Sequence, residues 1–370
     1  MGPLDYYRQF AGMTDEEISD ELRERAEARR RALARIEVLD LSRTTWHELP
    51  HPDVVNAVTF AARGALQVAP DPTAEELRRE LGRRHGLEPD RIAVGHGAAQ
   101  LLSSATRTLL EPGDELITPW PSYSLYPLMT QRANARAVPI AAGHDVEALR
   151  AAITPRTRAI VVCNPNDPTG AHLSLAQLRD LLDGLPEHIS VLLDEALADF
   201  VAAQEPGATL PLLEEHPRLL IFRTFSKAYG LAGLRCGYVL GGPGAEPLLA
   251  RLAPELGVGL PTQVGALEAL RVCDPQLAMR RAAVIAERAR LFDALHELPV
   301  DAAPSEANVV WMRALGISAA ELTARLRRSG VLVMSGDLVG DEHHVRVALQ
   351  SSEATDRLLD VLDTATAVAA

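Results

Sequence analysis

Apolar residues recur along the chain in two rhythms: short continuous runs and longer stripes at helical spacing. Runs at Arg91–Val94, Asp114–Thr118, Arg158–Cys163, Ile189–Leu193 and Leu219–Phe222 predict short buried strands. Helical stripes lie between them and are marked by their start and stop signals. Thr14-Asp-Glu-Glu17 has the form of a capping box and predicts a charged helix to about Arg35. Thr73-Ala-Glu-Glu76 predicts a second, ending near Gly86, and Ser174-Leu-Ala-Gln177 a third. Gly95 and Gly97 lead into an apolar helix that runs to Leu110 and is stopped by Pro112-Gly113. From Gly244 helices dominate, predicted over Ala245–Leu256, Thr262–Arg271 and Gln276–Leu298. A βαββα unit closes the chain: strand Asn308–Arg313, a helix capped by Ser318 to about Ser329, strands Val331–Met334 and His344–Leu349, and a helix from Glu353 to about Thr366. Ile36–Leu41 reads as a short segment leading into Ser42–Pro50, which has no regular period. Strands alternating with helices, followed by this smaller unit, predict an α/β large domain over 51–275. The small α+β domain then combines 1–50 with 276–370. No internal repeat or low-complexity linker interrupts the chain.

Ligands of open α/β sheets collect at the carboxyl ends of strands. Four such ends here carry chemistry: the strands leading to Gly95, Asn164, Asp194 and Lys227. Glycines ahead of a helix let backbone N–H groups close around an anion, which the helix dipole also favours. The Gly95-His-Gly-Ala-Ala-Gln100 turn lacks the third glycine of a dinucleotide fingerprint, which argues against a dehydrogenase. Tyr123 and Tyr126 offer aromatic faces, either to a ligand ring or to the core. Asp194 at its strand end is a helix cap or a site group. Arg346, inside an apolar strand, calls for an anionic partner, either a structural carboxylate or a ligand.

The composition narrows the function. The 370 residues are long enough for two domains, and no apolar run reaches membrane-spanning length. The net charge of −13 and the lack of an extended basic block exclude nucleic acid as a natural partner. The arginines at 29–31 follow Glu21, Glu24 and Glu27 and belong to a solvated helix face. Cys163, Cys236 and Cys273 are too widely spaced for a disulfide framework or a zinc site. With no leader pattern at the start, the expected location is the cytoplasm.

Lys227 is the only lysine in the chain. It follows the apolar run Leu219–Phe222, with hydroxyls at Thr224 and Ser226 before it and Arg235 after it. Desolvation beside a buried strand lowers an amine's pKa and frees the nucleophilic form, which suits Schiff-base chemistry. The run Ser226-Lys-Ala-Tyr-Gly-Leu-Ala-Gly-Leu-Arg-Cys-Gly237 resembles the lysine motif of the fold-type I pyridoxal-phosphate (PLP) aminotransferases. It is most similar to the histidinol-phosphate aminotransferase-like branch. The resemblance covers most of the chain. It implies a PLP-dependent transferase fold with a mixed, mostly parallel sheet, and transfer of an amino group between an amino donor and a 2-oxo acid. It implies that Lys227 forms the covalent link to PLP and moves protons. Asp194 would pair with the pyridinium nitrogen, and Tyr123 would stack on the ring. Ala98, Ala99, Ser226 and Arg235 would hold the phosphate, with Thr224 close by. Arg346 would grip the substrate carboxylate, and the active chain would be a homodimer.

Departures from that pattern carry information of their own. Asp167 stands where the family has asparagine before Pro-Thr-Gly, and Leu197 where it has tyrosine. Both family residues donate to the phenolic oxygen of PLP, so Asp167 implies a proton either shared there or held on the nitrogen of the cofactor–lysine linkage, whose pKa is expected to be raised. His47 replaces the asparagine of an Asn-Glu-x-Pro element and reads as a polar loop residue. The phosphate-binding tyrosine of a neighbouring subunit falls near Ala69, which has no hydroxyl, with Gln67 as a substitute donor. The run Val331–Ser335 lacks the arginine that holds a substrate phosphate, so an α-amino acid is expected rather than histidinol phosphate. A PLP-dependent lyase, decarboxylase or cyclase is the alternative reaction, and a non-enzymatic PLP-binding regulator a remoter one.

Overall fold

The computed structural model describes Thr14, Arg23, residues 38–141 and residues 144–366. The helix expected over 14–35 falls outside the described residues, apart from those two positions. Strands are numbered in chain order: β1 Leu39–Asp40, β2 Ile92–Gly95, β3 Glu115–Pro119, β4 Arg136–Ile140, β5 Thr157–Cys163, β6 Ser190–Asp194 and β7 Leu219–Thr224. They continue as β8 Gly237–Gly241, β9 Val300–Ala302, β10 Val309–Ala314, β11 Val331–Leu332, β12 Met334–Ser335 and β13 Val345–Ala348.

Seven strands form the main sheet in the order β2-β8-β7-β6-β5-β3-β4. β8 is antiparallel to both β2 and β7, while the β7-β6-β5-β3-β4 pairings are parallel. β2 therefore runs in the same direction as β7, and six strands share one carboxyl edge. The apolar runs of β5, β6 and β7 are buried along their whole length save Arg158, as expected of parallel strands covered on both faces. Alternation sorts their side chains. Val191, Leu193, Leu219 and Ile221 enter one core with the helices Glu75–His85 and Leu260–Val272. Leu192, Leu220, Phe222, Val161 and Cys163 enter the other, with the helix Ala98–Leu109 and Tyr126. The same parity sends Asp194 and Thr224 toward the second core, and Glu195 and Arg223 toward the first.

A four-stranded antiparallel sheet, β12-β13-β10-β9, carries a third core with the helices Asp274–Leu295, Ala319–Arg328 and Ser352–Thr366. β1 pairs with β11 in parallel, with Leu39 opposite Val331.

Several expectations need correction. The single strand expected over Val331–Met334 is two: β11 pairs with β1, and β12 with β13. An uninterrupted apolar run holds no signal that its hydrogen-bond partner changes halfway. The expected Thr73 capping box is absent, because the Asp71 carboxylate takes the N–H groups of Thr73 (2.9 Å) and Glu75 (2.7 Å) itself. A carboxylate makes stronger charge-assisted bonds than a hydroxyl at that place. The Ser174–Gln177 box forms as expected. The helix Pro52–Ala65 was not anticipated, although Pro52 opens it at a favoured position. β4, β8 and β9 were also missed.

One contact in this frame makes stability pH-dependent. His85 ends its helix with Nε2 3.0 Å from the Tyr238 hydroxyl. Burial, reinforced by Arg223 and Arg84, pushes its pKa down from 6.5 to about 3. The folded state thus binds fewer protons here than the unfolded state. This part of the stability is fully present above pH 6.5 and is lost as pH falls from there toward 3. Thermal melts of the native chain and of His85→Leu at pH 7 and pH 5 should show the smaller fall for the variant. Equal falls would rule the linkage out.

Candidate active site

Three parallel strands end side by side in the order β5, β6, β7. Cys163, Asp194 and Thr224 face the same side there, where a cavity of about 150 Å³ opens. Its walls bring together Ala98, Ala99, Tyr123, Asp167, Asp194, Thr224, Ser226, Lys227 and Arg235, with Leu197 and Thr45. Nine of the ten site residues singled out in the sequence line this one space. The tenth, Arg346, reaches it through a salt bridge to Asp167.

Lys227 Nζ donates to Thr44 Oγ1 from the Ser42–Pro50 segment. Burial lowers the lysine pKa, with Arg346 adding to the effect and Asp167 and Asp194 opposing it. Asp194 is 4% exposed, and burial pushes its carboxyl pKa up. Hydrogen bonds from the Tyr126 hydroxyl (2.7 Å) and the Ala196 N–H (3.1 Å) favour its ionised form. Tyr126 is therefore a site residue as well as a core residue, a role the sequence left open. Its ring meets Tyr123 edge-on at 5.5 Å, and burial beside Asp194 raises Tyr123 to about 12. Tyr123 accordingly stays a neutral phenol.

At the other end of the cavity the helix Ala98–Leu109 presents its first N–H groups. Gly97 precedes it at φ 85°, and a Cβ there would lie 2.8 Å from Arg235 Nη2. A Cβ on Gly237 would lie 2.4 Å from the Ala98 nitrogen. Both glycines keep a cradle open that any side chain would fill. Arg235 Nη1 donates to Ser226 Oγ at 3.3 Å, and the Ser226 N–H donates to Thr224 Oγ1 at 3.1 Å. A guanidinium, a hydroxyl and helix N–H groups around one cradle suit a phosphate. A buried amine and a buried carboxylate in the same cavity suit the aldehyde and ring nitrogen of a phosphorylated pyridine. The donor set therefore fits PLP.

Behind the site, Glu195 receives both Arg223 Nε (2.9 Å) and Nη2 (2.6 Å), plus the Thr209 hydroxyl at 2.6 Å. This buried pair fixes the strand ends from the opposite face of the sheet. The Ser42–Pro50 segment is pinned from the other side. Asn308 Nδ2 donates to the Thr44 carbonyl at 3.1 Å, and Arg280 lies over the Trp46 ring at 4.9 Å. His47 is exposed, its ring beside Trp46 at 4.9 Å. Gln67 and Ala69 are exposed too. Thr44 and Ser42 were not among the residues expected in the site. A tertiary contact such as Thr44 to Lys227 leaves no local pattern in either segment.

This fold and cavity define a PLP-dependent transferase of fold type I. Residues 37–362 match the family described as aminotransferase class I and II, and the chain belongs to that family. It is 37% identical over 315 residues to an aromatic amino acid aminotransferase of Corynebacterium efficiens, covering 84% of this chain and 88% of that one. A relative of the same name in Streptomyces coelicolor is 37% identical over 316 residues, covering 84% and 86%. Among solved structures, histidinol-phosphate aminotransferase from Sinorhizobium meliloti in complex with pyridoxal-5′-phosphate superposes with a TM-score of 0.80. The two are 26% identical, with 92% and 94% of the chains covered. N-succinyldiaminopimelate aminotransferase from Mycobacterium tuberculosis gives 0.78 at 26% identity, covering 89% and 93%. The chain is a PLP-dependent aminotransferase that moves an amino group between an amino donor and a 2-oxo acid. The lyase, decarboxylase, cyclase and regulator readings fall away.

Proposed function

We propose that this aminotransferase takes its amino group from an α-amino acid with an aromatic or large apolar side chain, and that Lys227 is the residue that binds PLP covalently. The carrying observation is the buried amine of the chain's only lysine, set in one cavity with Asp194 and the Gly97 cradle. The names of the relatives support the aromatic donor. So do the apolar wall residues Leu197 and Ala196 and the absence of arginine from Val331–Ser335.

Bound PLP supplies an electron sink for the charge that develops at the donor's Cα. The chain's residues do the rest. Ala98 and Ala99 N–H groups, Ser226 and Arg235 bind the phosphate, with Thr224 ordering Ser226. Tyr123 covers one ring face. Asp194, oriented by Tyr126, holds a proton on the ring nitrogen. Lys227 Nζ moves the proton from the donor's Cα, a task its lowered pKa favours. Arg346 receives the donor's carboxylate.

The large domain comprises 51–275, and the small domain 1–50 with 276–370. The active form is a cytoplasmic homodimer. Three buried, unpaired cysteines suit a reducing compartment. Phe60 (82% exposed) and Leu66 (80%) on and after the helix Pro52–Ala65 suit a face covered by a second copy. A sedimentation run should give twice the 39.9 kDa chain mass, and a single-chain species would reject the dimer.

Absorbance spectra of the PLP-loaded protein with single donors, and no 2-oxo acid, test the donor class. Phenylalanine or tyrosine should convert the cofactor to its amine form with stoichiometric 2-oxo acid, and histidinol phosphate should not. The opposite pattern would overturn the assignment.

A further inference from the structure

Arg346 is not free in the site. Its Nη1 donates to Asp167 Oδ1, and its Nη2 to the Ser42 carbonyl at 2.5 Å. Its Nε is buried and has no hydrogen-bond partner among the described residues. The side chains of Arg346 and Asp167 are only 9% and 14% exposed, so solvent screens their attraction little. Both are held in place. Arg346 sits in β13 with its backbone opposite Trp311. Asp167 follows Asn166, whose side chain is fixed by the Ser122 hydroxyl (2.6 Å) and the Pro121 carbonyl (2.9 Å).

A two-pronged grip on a carboxylate uses two neighbouring N–H groups of one guanidinium. The side-on pair, Nε with Nη2, is closed to a ligand because Nε is buried, and in the end-on pair both nitrogens are engaged, Nη1 by a carboxylate of the chain itself. A substrate carboxylate reaching Arg346 therefore has to displace Asp167. It also arrives beside a second negative charge.

We propose that Asp167 is a specificity-determining residue that competes with the substrate carboxylate for Arg346. This rests on the reading of Arg346 as the carboxylate receptor. The competition lowers the affinity for any carboxylate ligand by the fraction of time the Asp167–Arg346 contact is open. It shifts the selection of substrates from the carboxylate to the remaining groups: the amine and the side chain. An asparagine at 167 would remove the competitor and keep the shape.

The test measures binding without turnover, using PLP-loaded protein and two ligands that lack an amino group. 3-Phenylpropionate carries the carboxylate, and 3-phenylpropan-1-ol is its uncharged counterpart. Asp167→Asn should lower the dissociation constant of the acid about tenfold and leave that of the alcohol unchanged. With Arg346→Met in place, Asp167→Asn should bring no gain. Native protein should prefer acid over alcohol by less than about tenfold, a comparison that needs no variant to fold. A larger native preference, an unchanged acid affinity in Asp167→Asn, or a gain that survives Arg346→Met would each overturn the proposal. If Arg346→Met alone leaves acid binding untouched, the receptor reading of Arg346 fails first. If it weakens binding while Asp167→Asn changes nothing, only the competition fails.

Discussion

Lys227→Ala is expected to slow amino-group transfer by about 10⁴-fold or more, since in the proposed mechanism it removes both the covalent anchor and the group that moves the Cα proton. No second lysine exists to take over. Lys227→Arg should be almost as inactive. It keeps a positive charge, but a guanidinium does not deprotonate and cannot form the link. This pair of variants separates nucleophilicity from charge, because Asp167 and Asp194 would welcome either cation. The measurement is single-turnover conversion with phenylalanine. It is paired with borohydride reduction and mass analysis of the peptide that carries position 227. The native chain should show the cofactor mass on that peptide, and both variants none. Retained turnover in Lys227→Ala, or cofactor mass on another residue, would remove Lys227 from the mechanism. Thermal melts should stay near native, since among the described residues the amine's one hydrogen bond is to Thr44.

The site was legible in the sequence to the extent that strand ends carry it. Cys163, Asp194 and Thr224 each close an apolar run, and period-two alternation puts them on one face of a parallel sheet. That logic needs only local pattern and the rule that ligands gather at the carboxyl edge. The Gly97 cradle was legible only through the resemblance, since a glycine ahead of an apolar helix is also a common N-cap. What was not legible came from elements that meet only in three dimensions. Asp167 and Arg346 are separated by 179 positions, and their bond joins a turn after β5 to the middle of β13. The sequence marks each as unusual, an acid in place of an amide and an arginine in an apolar strand. It does not mark them as each other's partner. Thr44 lies in a segment with no period, and its approach to Lys227 depends on Asn308 and Trp46 contacts from the small sheet and its long helix. β8 was missed because its first residue, Gly237, closes the lysine motif and the Tyr-Val-Leu that follows, ended by Gly241, is too short an apolar run to predict a strand. Its antiparallel insertion between β2 and β7 is nevertheless what brings the Gly97 cradle beside Thr224.

Asp194→Asn should lower the turnover rate by about 10²–10³-fold while changing the Michaelis constant for the donor little. The substitution keeps the side chain's size. Its carbonyl oxygen can replace Oδ1 and accept from the Ala196 N–H (3.1 Å in the native chain), while its amide NH2 takes the place of Oδ2 and donates to the Tyr126 oxygen (2.7 Å). The loss is therefore one of charge rather than packing. An amide cannot hold a proton on a ring nitrogen as a carboxylate does, and in a buried position no water takes over the task. Burial alone would push Asp194 toward its neutral form; the Tyr126 and Ala196 bonds and Lys227 oppose that shift. Tyr126→Phe removes one of those bonds, so its effect should be in the same direction and smaller, about tenfold. The ordering matters. If Tyr126→Phe were the more damaging, the tyrosine would act for itself and not through Asp194. If Asp194→Asn kept turnover within about threefold, the ring-nitrogen role would be untenable and the buried carboxylate would be a structural group.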